Sequence, residues 1–229
     1  IPRDGKIIFA VPADKKEEVK ADWNIFTANV EDEFHVTDVA MAWSLESADA
    51  QKVLPKQVSE NLIKAVQAVD NGVFAMCQDE ELAWMVETSS NIASVQSDEK
   101  EVVCVTSQRS NVMSNLKNIA NSVKAVFELA GAKVVTNEGY PAWKMRKGSK
   151  LQKITIDAYR KLFGKDPIVK GIHAGLECGL FSEKYPDLDM VSFGPTLRFV
   201  HTPDERLLIP TVQMVWDHLL EVLKNIPVK

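Results

Sequence analysis

The feature that most limits how this chain can fold is the brevity of its apolar runs and their alternation with amphipathic stretches. Residues 6–11 (KIIFAV), 73–77, 91–95 and 102–106 are runs of five or six residues, the length of a strand. Between them lie segments with helical spacing. Val19, Trp23, Phe26 and Val30 recur at intervals of four, three and four, and Val58, Leu62, Val66 and Val69 line one side of a stretch that opens at Pro55 and closes at Asn71-Gly72. Residues 35–43 alternate strictly, as a half-buried strand does. A helix over 110–129, stopped by Gly131, and a strand over 133–136 complete the pattern. Residues 1–139 therefore read as an α+β sandwich, an antiparallel sheet with helices packed on one face.

The rhythm then changes. Asn137, Gly139 and Pro141 fall within five positions, a turn cluster. Charge changes with it: residues 1–139 hold 13 Lys/Arg and 22 Asp/Glu, a net of −9, and 140–229 hold 14 and 10, a net of +4, which sum to −5. The expected domains are thus 1–139 and 140–229. In the second, the spacing predicts a helix over 150–163, short strands over 168–172, 189–193 and 197–200, and a last helix over 210–223. Helix, strand, helical turn, strand and helix suit the last part of an α/β domain.

Several function classes are disfavoured at once. A net charge of −5 offers no general attraction to nucleic acid or anionic lipid, and no apolar run approaches the roughly 20 residues that cross a bilayer. Three widely spaced cysteines form neither a zinc ribbon nor a disulfide framework, which suits a cytoplasmic setting. The first residue is Ile1, and neither an initiator Met nor a signal peptide is present; the expectation is a piece of a longer chain.

Three places could carry chemistry. His201 follows the expected strand 197–200 and opens a polar turn, His-Thr-Pro-Asp-Glu-Arg, where an imidazole at a strand end could ligate a metal. By spacing alone, a surface histidine in a polar turn is the more economical reading. Gly171, Gly175 and Gly179 fall within nine residues that also contain His173, Glu177 and Cys178. Such a segment lets backbone N–H groups approach an anion, although plain turn chemistry explains the glycines as well. Cys178 has no activating neighbour in sequence and reads as a small apolar residue rather than a nucleophile. Arg109 ends an alternating run just before Ser110, a plausible helix N-cap. An arginine there could hold a carboxylate through two parallel hydrogen bonds, and could equally be a solvated cation. The acid run at 79–81 and the basic stretch at 144–153 read as solvated surface.

The blocks His-Ala-Gly-Leu-Glu-Cys-Gly-Leu-Phe (173–181), Asp-Met-Val-Ser-Phe-Gly-Pro (189–195) and His-Thr-Pro-Asp-Glu-Arg (201–206) closely resemble the C-terminal part of the bacterial aminoacyl-histidine dipeptidases, a family related to the carnosinases. Weaker resemblance runs through 86–89 and 108–112 back to Ile1. It implies a zinc-peptidase α/β catalytic domain interrupted by a lid domain that also mediates homodimerisation, with 1–139 the later part of the lid and 140–229 the return into the catalytic domain. It also implies two zinc ions, held by two histidines and three carboxylates, and a glutamate general base acting on bound water. By resemblance His201 is the last metal ligand, Arg109 holds the carboxylate of a dipeptide substrate, and the backbone of Gly175 contacts that substrate. The family's other ligands and its base belong to motifs absent from this chain, so no catalytic residue is assigned in it and the fragment is expected to be inactive. The competing expectation is a non-catalytic α+β module for dimerisation or small-molecule binding.

Overall fold

The computed structural model describes residues 2–49, 52–137, 139, 141, 143, 146–171, 176–200 and 202–227. It divides the chain into two compact units, residues 2–67 and residues 68–229 together with Ile1.

The first unit is built on helix α1 (Lys16–Phe34), entered through a single 3-10 turn at Ala13–Lys15, and it contains most of α2 (Lys56–Ala68). The stripe seen in the sequence is real but shallow, since Val19, Trp23 and Val30 are only half-buried and no residue of α1 is fully buried. What organises this unit is aromatic. The Trp23, Phe26 and Trp43 rings meet pairwise with centroids 6.0 to 6.2 Å apart, Trp43 edge-on to both of the others, the arrangement that the ring quadrupoles favour. Residues 6–11 and 35–43, expected as strands, are not strands. Each lacks a paired neighbour among the described residues, and an unpaired strand leaves its ladder groups unsatisfied.

The second unit contains an antiparallel sheet of β1 (Gly72–Met76), β2 (Val86–Ser97) and β3 (Val102–Ser110) in that spatial order, with α3 (Met113–Leu129) against one face. The α3 stripe of Ile119, Val123 and Phe127 is buried, as the amphipathic spacing requires. The expected antiparallel sheet with helical packing on one face is thereby borne out for β1 to β3 and α3. Ser110 is not the N-cap of α3. It ends β3, its hydroxyl accepts the Val112 amide proton at 3.0 Å and meets the Thr88 hydroxyl at 2.9 Å, and the helix begins three residues later.

Further along, α4 (Lys150–Phe163) packs against α6 (Pro210–Asn225). The Ser149 hydroxyl caps α4 by accepting from the Gln152 amide, and Gly164 ends it at φ 63°, a left-handed conformation that glycine adopts without strain. Between the two helices lies His218, which no motif marks: its Nε2 donates to the Thr155 carbonyl at 2.8 Å, and Tyr159, Phe163 and Phe193 surround its ring. Lys161 reaches across to Glu221 at 2.5 Å. That ammonium, joined by the Asn225 amide, holds the Glu221 carboxyl below the usual carboxylate range. Helix α5 (Glu177–Lys184) and the hairpin β4 (Leu197–Arg198) and β5 (Arg206–Leu207) complete the unit.

Four more expectations need correction. Residues 133–136, the described part of 168–172, and 189–193 are irregular rather than strands, and the strand expected over 197–200 shortens to two residues. Apolar run length identified segments able to form strands, but a strand exists only where another supplies its ladder. Ile168 and Val135 remain open to solvent at 81 % and 72 %, whereas Val134, Met190 and Val191 are half-buried.

Candidate functional site

The three sequence blocks around residues 173–206 lie in the second unit, and the structure ties two of them to the α4 and α5 framework. In block 189–195, the Asp189 carboxylate accepts the Leu151 amide at 3.0 Å and so serves the N-terminus of α4, where free N–H groups and the positive end of the helix dipole welcome an anion. Burial pushes the Asp189 carboxyl up. The Leu151 amide, the Ser149 hydroxyl and the Arg146 charge outweigh that, and its net position is below the usual range. Arg146 also donates to the Asp187 carbonyl at 2.6 Å.

In block 173–181, α5 begins at Glu177; residues 172–175, and with them His173 and Gly175, lie outside the described residues. Gly179 is buried in α5, and a Cβ there would collide with the carbonyl oxygen of Pro141. The glycine is a packing requirement: only a residue without a side chain lets the 141 backbone pass this close. Gly179→Ala is expected to lower stability by about 1–3 kcal/mol, since the backbone must shift to admit one methyl group. Thermal unfolding of the purified variant measures this, and an unchanged midpoint would show that the contact is not formed. Cys178 is half-buried, and burial raises its thiol pKa, in keeping with an inert cysteine.

His201 also lies outside the described residues, but its flanks are described. The expected strand-to-helix turn is the loop of the β4–β5 hairpin. Thr202 donates through its hydroxyl to the Phe199 carbonyl at 2.7 Å, and the same hydroxyl accepts the Asp204 amide at 3.2 Å. Phe199 itself has φ 54°, a left-handed conformation that costs a bulky residue roughly 1–2 kcal/mol.

Arg109 stands where its alternation placed it, exposed, at the penultimate position of β3 and directly opposite Ser89 of β2. Successive residues of a strand face opposite ways, so Ser89, Arg109 and Val73 share the face turned away from α3, with Asn91 and Ser107 one rung further along. On the α3 side of the same strands Thr88 meets Ser110 and Gln108 donates to Ser90 at 3.1 Å, and near the start of β2, where the alternation does not hold, Asn115 of α3 donates to the buried Glu87 carboxylate at 2.5 Å. Asn91 and Ser107 were not singled out by the sequence, because facing partners follow from strand register rather than from spacing within one strand. Prolonging the alternation of 102–108 across the turn into β2 would have pointed to them.

Among the described residues no group of three His, Cys, Asp or Glu side chains lies close enough to hold a metal ion, so they do not fit a two-zinc centre. No described helix is long and apolar enough to cross a membrane.

No protein-family model matches the chain. It is 34% identical over 230 residues to the cytosol non-specific dipeptidase of Escherichia coli (strain K12), a match that covers 100% of this chain and 47% of that protein. The crystal structure of the aminoacylhistidine dipeptidase from Vibrio alginolyticus superposes with a TM-score of 0.75 at 35% identity, covering 96% of this chain and 44% of that one. The aminopeptidase PepT of Bacillus cereus ATCC 10987, with a TM-score of 0.52 and 18% identity over 72% of this chain, shares the fold. The chain thus spans about half the length of the relatives it matches.

Proposed function

We propose that this chain is the C-terminal half of a zinc-dependent dipeptidase that hydrolyses dipeptides such as Xaa-His in the cytoplasm, as a homodimer joined through its lid. The observation that carries the reading is similarity along the whole chain to dipeptidases about twice its length. Residues 1–139 are then the later part of the lid and 140–229 the closing part of the catalytic domain. The ladderless apolar segments at 133–136, 168–171 and 189–193 support this, since each has the composition of a strand awaiting a neighbour.

Within that protein the residues of this chain bind and orient. Arg109, on an open sheet face, holds the dipeptide carboxylate in two charge-assisted hydrogen bonds, a fixed geometry that converts binding into alignment of the scissile bond. The Gly175 backbone fixes the same end of the substrate, and His201 is one zinc ligand. Zinc, when bound, supplies activation of water.

The test is the purified complete polypeptide. It is expected to hydrolyse Xaa-His dipeptides, to lose that activity to a chelator, and to regain it on addition of zinc. A folded complete protein that hydrolyses no dipeptide would overturn the reading and leave a non-catalytic α+β module.

A further inference from the structure

The two faces of the β2–β3 ladder are both polar near Arg109, but they treat their polar groups differently. On the α3 side, Thr88, Ser90, Gln108 and Ser110 bond one another across the strands. On the open side, Asn91 and Ser107 stand directly opposite each other, one rung from the Ser89–Arg109 pair, and neither makes a side-chain hydrogen bond among the described residues. Asn91 is half-buried and Ser107 exposed, and asparagine and serine are both poor choices for the middle of a strand. Beyond them the face turns apolar, with Val105 and Val103 at 49 % and 44 % exposure.

One rung is two residues, about 6.7 Å along the strand. That is the reach from the carboxylate of an amino acid to the end of its own side chain, whereas Val105 and Val103 lie too far along for the same residue. We propose that Asn91 and Ser107 form the side-chain subsite for the residue whose carboxylate Arg109 holds, and that they favour a side chain bearing hydrogen-bonding nitrogen or oxygen, such as an imidazole, over an aliphatic one. The chemistry is asymmetric. An amide and a hydroxyl can each donate and accept, so they match either tautomer of an imidazole, but against an aliphatic side chain both lose water and gain nothing. Val73, opposite Ser89 on the Arg109 rung, adds an exposed apolar side chain to the same face.

The inference rests on the dipeptidase reading, and its test separates the two. In the complete polypeptide, the ratio of kcat/KM for Gly-His to kcat/KM for Gly-Leu is measured for wild type, Asn91→Ala, Ser107→Ala and Ser107→Thr. The ratio is expected to fall about tenfold in each alanine variant, as when one polar partner of a substrate group is removed from a partly solvated site, and to be retained by Ser107→Thr, which keeps the hydroxyl. A merely structural role would lower both substrates together and leave the ratio unmoved, and that result overturns the inference while the dipeptidase reading stands. A wild-type protein that hydrolyses neither substrate removes both.

Discussion

Purified on its own, the 229-residue chain is expected to release no product from a dipeptide, with or without added zinc. The resemblance calls for two histidines, three carboxylates and a separate glutamate base, and of these it places only His201 here. The described residues hold no cluster of three potential ligands that could substitute. A single imidazole binds a divalent ion weakly and leaves the rest of its hydration shell in place, so water bound there gains little acidity and meets no positioned base. Metal-activated water and its base supply most of the acceleration in such chemistry, and enzymes as a class owe at least about 10⁶-fold to their assembled sites. Without them the residual rate falls into the uncatalysed background. Arg109 can still orient a carboxylate, but orientation without a nucleophile changes binding and not turnover. The measurement is product release over days at high chain concentration, with and without zinc and chelator. Chelator-sensitive hydrolysis clearly above buffer would mean that this chain holds metal ligands which neither the resemblance nor the described geometry has identified.

Helices were the most legible part of this sequence, for a local reason. In α4 the apolar face of Leu151, Ile154, Ala158 and Leu162, the Ser149 cap and the Gly164 stop all lie within sixteen consecutive residues, so the sequence carries both the pattern and its limits. Strands β1 to β3 were legible because their partners follow within a few residues and close into hairpins. Segments 6–11 and 189–193 have equal apolar character, yet a strand is a property of a pair, and nothing in either segment says whether a ladder is offered elsewhere. The candidate site divides the same way. Arg109 could be placed by counting along one strand, whereas the pairing of Asn91 with Ser107 depends on a register that includes an irregularity between Ile92 and Ser94. For His201 and Gly175, chemistry came from resemblance, and spacing by itself favoured plainer readings of both.

His201 is therefore the residue on which the proposed metal role is most sharply exposed to test. If it ligates zinc in the complete polypeptide, it does so as a neutral imidazole, and His201→Ala removes a bond that no water replaces with equal strength. Loss of a group that merely supports a ligand already costs 10–100-fold in metal affinity or activity, so loss of the ligand itself is expected to lower turnover by at least about 100-fold and to reduce bound zinc. The fold should survive. The hairpin loop around the position is held by Thr202 bonds to Phe199 and Asp204 that do not involve the imidazole, and the hydrophobic contacts of α4 with α6 are elsewhere. A solvated histidine in the same loop would give the opposite pattern, with stability within about 0.5 kcal/mol of wild type and turnover unchanged. Elemental analysis for zinc, turnover at saturating metal and a thermal unfolding curve on the same preparation separate the cases. Full zinc occupancy with unaltered turnover would show that His201 is not a ligand, and with it would go the alignment that assigns Gly175 its backbone contact.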